Sequence, residues 1–347
     1  MKRRDFLKGT AGAAVLLGLP GRLRAAGSGA GSPKEGTGPS IPAFPDFRFS
    51  PPGKFKVVQL TDTHYIAGDP RSERALACVR AVLDAEKPDL VIHTGDVIYG
   101  RPAAVSARDI LAPMAERGIP FAVALGNHDN EFDLDRQGIY DAIRGLPGCI
   151  NTGKGLCDGI TLSSDAGVER VLYLFDSADN IYEGETWKGY GSISFDQIAW
   201  YRERSAAFTA RRGRPVPSVA FFHIPLRELS EGLAGTSRQL EGNACEAPCP
   251  SLYNTGLLAS IKEMGDIQAL VTGHDHDCDF EMAYDGLFYL YGRFSGCDTV
   301  YNNLGLSGAR VLEFTRGEAS FRTWIRLSDG SLLRPRTLTP GKNLLGK

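Results

Sequence analysis

Lys56-Val57-Val58-Gln59-Leu60-Thr61-Asp62-Thr63-His64 is the stretch whose reading decides the fold. Its first six residues are an apolar, β-branched run of strand length. The run ends on an aspartate and a histidine one residue apart. Other apolar runs end in a similar way. Residues 89–94 lead into Gly95-Asp96, and residues 120–125 into Gly126-Asn127-His128-Asp129. Residues 267–272 lead into Gly273-His274-Asp275-His276, and His223 closes the run 218–223. These five patches hold five of the chain's six histidines, which places polar chemistry where strands end.

Helical periodicity fills the gaps between the first strands. Residues 73–87 carry Leu76, Val79 and Leu83 on one face, and residues 106–117 carry Ile110, Leu111 and Met114, with Gly118 as a stop. The order β-α-β-α-β predicts an α/β sheet with right-handed crossovers. Further on, strands are expected at 170–176, 218–223 and 267–272, and helices at 195–208 and 255–264. Residues 286–327 read as consecutive hairpin strands around Gly305 and Gly317. Two sheets are therefore expected, one fed by crossovers and one closed by antiparallel strands. They make one domain over residues 51–330, followed by a C-terminal tail, 331–347.

The chain of 347 residues has the 42% hydrophobic and 23% charged content of an ordinary globular protein. A formal charge of −2 without a basic stripe gives no footprint for nucleic acid. The start is different. Met1 to Lys8 is basic, residues 9–20 are small and apolar, and residues 21–26 offer a small-residue exit. Residues 1–26 read as a signal peptide, too short and badly flanked for a stable membrane span. Arg3-Arg4 followed by Asp5-Phe6-Leu7-Lys8 resembles a twin-arginine export signal, with an ordinary secretory signal as the other reading. The expected location is periplasmic or secreted, with the twin-arginine export machinery as a partner. Removing that segment takes six Lys/Arg and one Asp, which leaves the remainder more acidic. Residues 27–50, rich in Gly, Ser and Pro, read as a flexible linker.

Seven cysteines leave at least one unpaired within the chain. Cys245 with Cys249, or Cys149 with Cys157, are candidate loop staples, and Cys78 reads as a core residue.

Ligand sites in α/β sheets form past the carboxyl ends of strands, where the five patches stand. Two metals need a bridging carboxylate and about three further ligands each, and Asp, Asn and His supply oxygen and nitrogen for such ions. Taken in order, Asp62-x-His64, Gly95-Asp96, Gly126-Asn127-His128-Asp129, His223 and Gly273-His274-x-His276 resemble the calcineurin-like metallophosphoesterases, over residues 55–327. The resemblance implies an α/β/β/α fold, a two-sheet β-sandwich core flanked by helices. It implies two divalent or trivalent metal ions, iron, manganese or zinc. Asp62, His64 and His276 would bind the first, Asn127, His223 and His274 the second, and Asp96 both. His128 would stay off the metals and face the substrate.

Tyr99, three residues after Asp96, is similar to the tyrosine that binds ferric iron in purple acid phosphatases. Those enzymes lack a histidine at the place of His64. His64 is expected to take the coordination position, with Tyr99 beside it. In the protein-phosphatase branch an aspartate at the place of Tyr99 orients the catalytic histidine. Asp62, Asp129 and a substrate oxygen are the candidates for that role here.

The resemblance implies hydrolysis of phosphate esters, monoesters ahead of diesters. Hydroxide held by the metals would attack in line, and His128 would protonate the leaving oxygen as general acid. The alternative is a non-catalytic, metal-stabilised binding protein on the same scaffold, and an intact His128 favours the enzyme. Several residues have plainer readings. His93 is expected in the core. Asp129 and Asp275 are expected to fix loop backbones, and Asp277 and Asp279 to solvate theirs. Tyr182, Trp187 and Tyr190 either line the substrate cleft or pack their own loop. Arg227 and Arg238 either grip phosphate or lie on the surface.

Overall fold

Two sheets stack face to face in the computed structural model, which describes residues 44–152, 157–235 and 239–341. The expected signal peptide lies outside the described residues. One sheet has six strands in the order Leu332–Leu338, Phe321–Leu327, Gly308–Thr315, Lys54–Leu60, Leu90–His93 and Phe121–Val123. The last three run parallel, as the crossover pattern predicts. The other sheet has eight, in the order Asp46–Arg48, Asp158–Ser164, Gly167–Leu174, Ser218–Phe221, Ile267–Thr272, Leu287–Tyr291, Glu281–Tyr284 and Gln239–Glu241.

Strand alternation builds three apolar layers from this arrangement. In Lys54–Leu60, Phe55 and Val57 point between the sheets, where they meet Leu172, Val219, Phe221, Val271 and Leu312. Val58 and Leu60 point the other way, onto helices Glu73–Glu86, Ala103–Glu116 and Arg136–Arg144. The eight-stranded sheet does the same with Tyr173, Ala220 and Leu270, which face helices Phe195–Arg212, Arg227–Ala234 and Leu257–Met264. Each large apolar side chain buried in these layers contributes roughly 1.5–3 kcal/mol. The result is the expected α/β/β/α sandwich. Helix Phe195–Arg212 shows how local sequence sets its limits. Ser194 accepts from the Gln197 amide at its start, and Gly213 takes φ 75° at its end.

The structure changes three expectations about extent and connection. Asp46–Arg48, inside the stretch read as linker, is a parallel edge strand. It is anchored where Asp46 Oδ1 accepts from Thr161 and Ser163, at 2.6 Å each. Leu332–Leu338, inside the stretch read as tail, pairs antiparallel with Phe321–Leu327. Residues 286–327 are not one run of hairpins. Leu287–Tyr291 pairs with Ile267–Thr272 in one sheet, whereas Gly308–Thr315 belongs to the other. The loop holding Gly305 crosses between sheets, while Gly317 does turn the hairpin of Gly308–Thr315 and Phe321–Leu327.

All seven cysteines are free thiols, so neither expected staple is formed. Among the described residues no helix is long and apolar enough to cross a membrane.

Candidate metal centre

The sandwich brings strand ends of the two sheets to one edge. Gln59, near the end of its strand, donates to Thr94 Oγ1 at 2.7 Å and to the Thr272 carbonyl of the opposite sheet at 3.0 Å. Just beyond, the backbone N–H of His274 donates to Asp62 Oδ2 at 3.1 Å, so the first and last patches touch.

The backbone bends sharply to do this. Asp62, His64, Asp96 and His274 all have positive φ, at 55°, 42°, 52° and 83°. Such conformations cost about 1–3 kcal/mol each and persist where surrounding structure over-determines them. Two glycines permit the close approach. A Cβ on Gly126 would lie 2.1 Å from Asp96 Oδ1, and one on Gly273 would lie 1.9 Å from Thr61 Oγ1.

Two clusters of ligand atoms result, each within 4.8 Å: Asp62, His64 and His276, and Asp96, His223 and His274, all buried. His64 Nε2 lies 3.1 Å from His276 Nε2 and 3.5 Å from Asp96 Oδ2. His223 Nε2 lies 3.2 Å from Asp96 Oδ2 and 3.2 Å from His274 Nδ1. Asp96 therefore faces both clusters. The outer nitrogens of two imidazoles are fixed by carbonyls. His276 Nδ1 donates to Tyr301 O at 2.9 Å, and His223 Nδ1 donates to Thr94 O at 2.7 Å. Each ring thus turns its Nε2 inward, the usual way a protein orients a metal-ligating histidine.

Other polar atoms of the site have no partner among the described residues. Both amide atoms of buried Asn127, His64 Nδ1 and His274 Nε2 are unpaired. A buried polar group left unpaired costs about 1–3 kcal/mol. A buried, unpaired amide oxygen next to converging imidazoles and two carboxylates forms a donor set that fits a pair of cations.

The charges push against one another. Burial lowers the His64 and His274 imidazoles well below their ordinary range. Burial raises the Asp62 carboxyl. Burial works upward on Asp96 too, but His223 and His128 outweigh it and hold that carboxyl well below its usual range. Burial pulls the His223 ring down, yet the Asp96 charge and hydrogen bond, with Asp62, push it up to about 9.

His128 belongs to neither cluster. Its backbone N–H donates to Asp96 Oδ1 at 2.9 Å, and its Nδ1 lies 2.8 Å from Glu131 Oε2. Burial lowers its affinity for a proton, but Asp96 and Glu131 raise it to about 9. Glu131, which sequence reasoning missed, is thus its partner rather than Asp62 or Asp129. Asp129 has a different task. Its carboxylate accepts from the amides of Gly126, Asp96, Val97 and Ile98 at 2.7–3.2 Å, which ties two loops together. Burial raises it to about 6. Tyr99 stands edge-on to the rings of His64 and His128, with centroids 5.3 and 5.2 Å away.

The plainer readings divide. His93 is buried, bonded to Thr63 Oγ1 at 3.0 Å and lowered by burial to about 3. Asp275 accepts from the Cys249 amide at 3.0 Å, a loop-fixing role. Asp279 corrects its reading. It is fully buried and bridges Arg293 and Arg334 at 2.8 and 2.7 Å. Asp277 also does more than solvate, since it accepts from the Asn303 amide N–H and side chain at 2.6 Å each. Arg227 donates to the Leu252 carbonyl at 2.7 Å, so it clamps backbone. Arg238 lies outside the described residues. Tyr190 does reach the site, edge-on to His274 at 4.2 Å, with Trp187 behind it at 5.2 Å. Tyr301, which no local pattern signalled, covers His276 at 4.5 Å.

Comparison with known proteins agrees with this geometry. A family model described as calcineurin-like phosphoesterase matches residues 55–278. A probable inactive purple acid phosphatase 28 of Arabidopsis thaliana is 29% identical, over 84% of this chain and 84% of its own. The phosphatase DCR2 of Saccharomyces cerevisiae is 30% identical, over 80% of this chain and 54% of its own. A dimetal phosphatase from Danio rerio has the same fold, with a TM-score of 0.58 at 13% identity, over 83% of this chain and 99% of its own.

Proposed function

We propose, from the premise that this chain belongs to the calcineurin-like phosphoesterase family, that it is an exported, two-metal hydrolase of phosphate esters. The observation that carries the reading is the convergence of two buried ligand clusters on Asp96, with His128 intact beside them. Asp62, His64 and His276 would hold one ion, and Asn127, His223 and His274 the other, with Asp96 shared. Iron, manganese and zinc all suit this donor set. Bound there, the ions would supply the positive charge that acidifies water and offsets the charge on phosphate.

The chain's own residues do the rest. Thr94 and Tyr301 orient the His223 and His276 rings through their carbonyls. Tyr190 and Tyr301 narrow access above His274 and His276. His128, with Nδ1 held by Glu131, keeps Nε2 to give a proton to the leaving oxygen. Trp187 and Tyr182 are about half exposed on the hairpin that carries Tyr190 and suit an apolar or aromatic alcohol on the ester, and phosphomonoesters are the first class we propose. The basic, twin-arginine start at residues 1–26 supports export to the periplasm or medium. Its test is the mass of the N-terminus after expression.

A second reading is a metal-stabilised binding protein without turnover. It is favoured by a relative named probable inactive purple acid phosphatase. Assaying the loaded protein on phosphomonoesters and phosphodiesters separates the two. Turnover that vanishes with chelator supports the enzyme, and full loading without turnover supports the binder.

A further inference from the structure

We propose that Glu131 is the positioning residue of the general acid, and that Asn180, from a neighbouring hairpin, holds Glu131 in place. The inference rests on the reading of His128 as general acid, and it adds the group that aims it.

The other nearby carboxylates are committed elsewhere. Asp129 is used by four backbone amides. Asp96 takes the His128 backbone N–H on Oδ1 and faces His64 and His223 with Oδ2. Glu131 Oε2 is at 2.8 Å from His128 Nδ1, and both side chains are about one-third exposed.

The second oxygen of Glu131 is also held. Asn180 Nδ2 donates to Glu131 Oε1 at 3.3 Å, and Trp187 Nε1 donates to Asn180 Oδ1 at 3.2 Å. An indole nitrogen only donates, so it fixes which way the Asn180 amide points. The amide N–H must then turn to Glu131. Donors thus run from both ends onto one carboxylate. Asn180 and Trp187 sit on the two strands of the hairpin Asn180–Glu183 and Thr186–Tyr190. Next to this link, Asn130 donates to Asp179, so adjacent residues of the two loops are bonded pairwise. A side chain on a four-residue turn is thereby held as a rigid element would hold it. The same hairpin ends in Tyr190 against His274, which ties the aim of the acid to the wall of the site.

The test uses the full chain loaded with manganese. Phosphate esters with good and poor leaving groups (4-nitrophenyl and alkyl phosphates) are compared for wild type, His128→Ala, Glu131→Ala, Glu131→Gln, Asn180→Ala and the double variant His128→Ala/Glu131→Ala. Glu131→Ala is expected to lower kcat on the alkyl ester roughly tenfold to a hundredfold, within the range of general acid catalysis. The 4-nitrophenyl ester should lose far less, with KM and metal content unchanged. Glu131→Gln should recover part of the loss, and Asn180→Ala should show a smaller loss of the same kind. The double variant should be no slower than His128→Ala alone, because the two residues act as one unit.

Losses that multiply in the double variant, or that are equal for both esters, would overturn the positioning role. No turnover by the loaded wild type would overturn the enzymatic reading, and this role with it. A loss in His128→Ala confined to poor leaving groups, with Glu131→Ala like wild type, would leave the general acid standing and remove only Glu131.

Discussion

His223 places Nε2 3.2 Å from Asp96 Oδ2 while its Nδ1 donates to the Thr94 carbonyl at 2.7 Å. A carbonyl only accepts, so the neutral ring must aim a lone pair at a carboxylate. That contact needs positive charge between the two atoms. A proton supplies it in the chain alone, which is why Asp96 and Asp62, against the pull of burial, push His223 up to about 9. A metal ion would supply it otherwise.

Metal binding is therefore expected to release protons at pH 7. The sign comes from His223, whose raised value keeps it protonated below about 9, so a metal must displace that proton. Apparent affinity should rise with pH up to that value. Calorimetric titration with manganese in buffers of different ionisation enthalpy measures the release. A heat independent of buffer would contradict it.

Removing the acid and removing the bridge should differ. His128→Ala is expected to retain metal and lose about 10²- to 10⁴-fold in kcat on alkyl esters. Asp96→Asn is expected to lose metal and activity together, because both clusters face that carboxylate. Elemental analysis of each variant beside its turnover distinguishes the two.

Gly126→Ala should cost the site without unfolding the sandwich. The added methyl would fall 2.3 Å from the Asp96 amide nitrogen, within the bridging loop. Metal content should fall at least tenfold under conditions that load wild type, a displacement worth about 1.4 kcal/mol or more. Unchanged far-ultraviolet circular dichroism would show that the fold persists. Full loading would mean that the loop can shift freely.

Away from the site, Glu86 links the outer helix to the six-stranded sheet. It accepts from Trp324 Nε1 at 2.9 Å and Arg326 Nε at 2.6 Å, and lies 3.1 Å from Lys56 Nζ. Burial raises the carboxyl, but these three partners outweigh it and lower it. A lowered carboxylate stabilises the fold above its unfolded value, and this stabilisation is lost as pH falls through the folded one. Glu86→Gln should destabilise by about 1–3 kcal/mol at pH 7. The gap from wild type should narrow as pH drops below the ordinary glutamate range, read from urea midpoints at several pH values.

The sandwich and its clusters were legible because their signals are local. Apolar runs ending in Asp62, Asp96, Asn127 and His274 announce both the strand and the candidate ligand at its end. Glu131 was not legible. It stands in a polar loop whose path depends on Asp129 binding four amides, and its partner Asn180 is 49 residues away. Tyr301 is similar, since only the crossing of its loop between sheets brings it over His276. The short edge strand Asp46–Arg48 sits in a Pro-rich stretch whose composition resembles a tether. The cysteine spacings pointed to staples, but proximity in sequence does not bring Cβ atoms to bonding geometry.

The most direct test of a two-metal centre is anomalous diffraction from crystals grown with manganese. Two peaks are predicted about 3.5–4 Å apart. One should lie against Asp62, His64 and His276, the other against Asn127, His223 and His274, with Asp96 touching both. A single peak at full loading, or none among these side chains, would contradict the account.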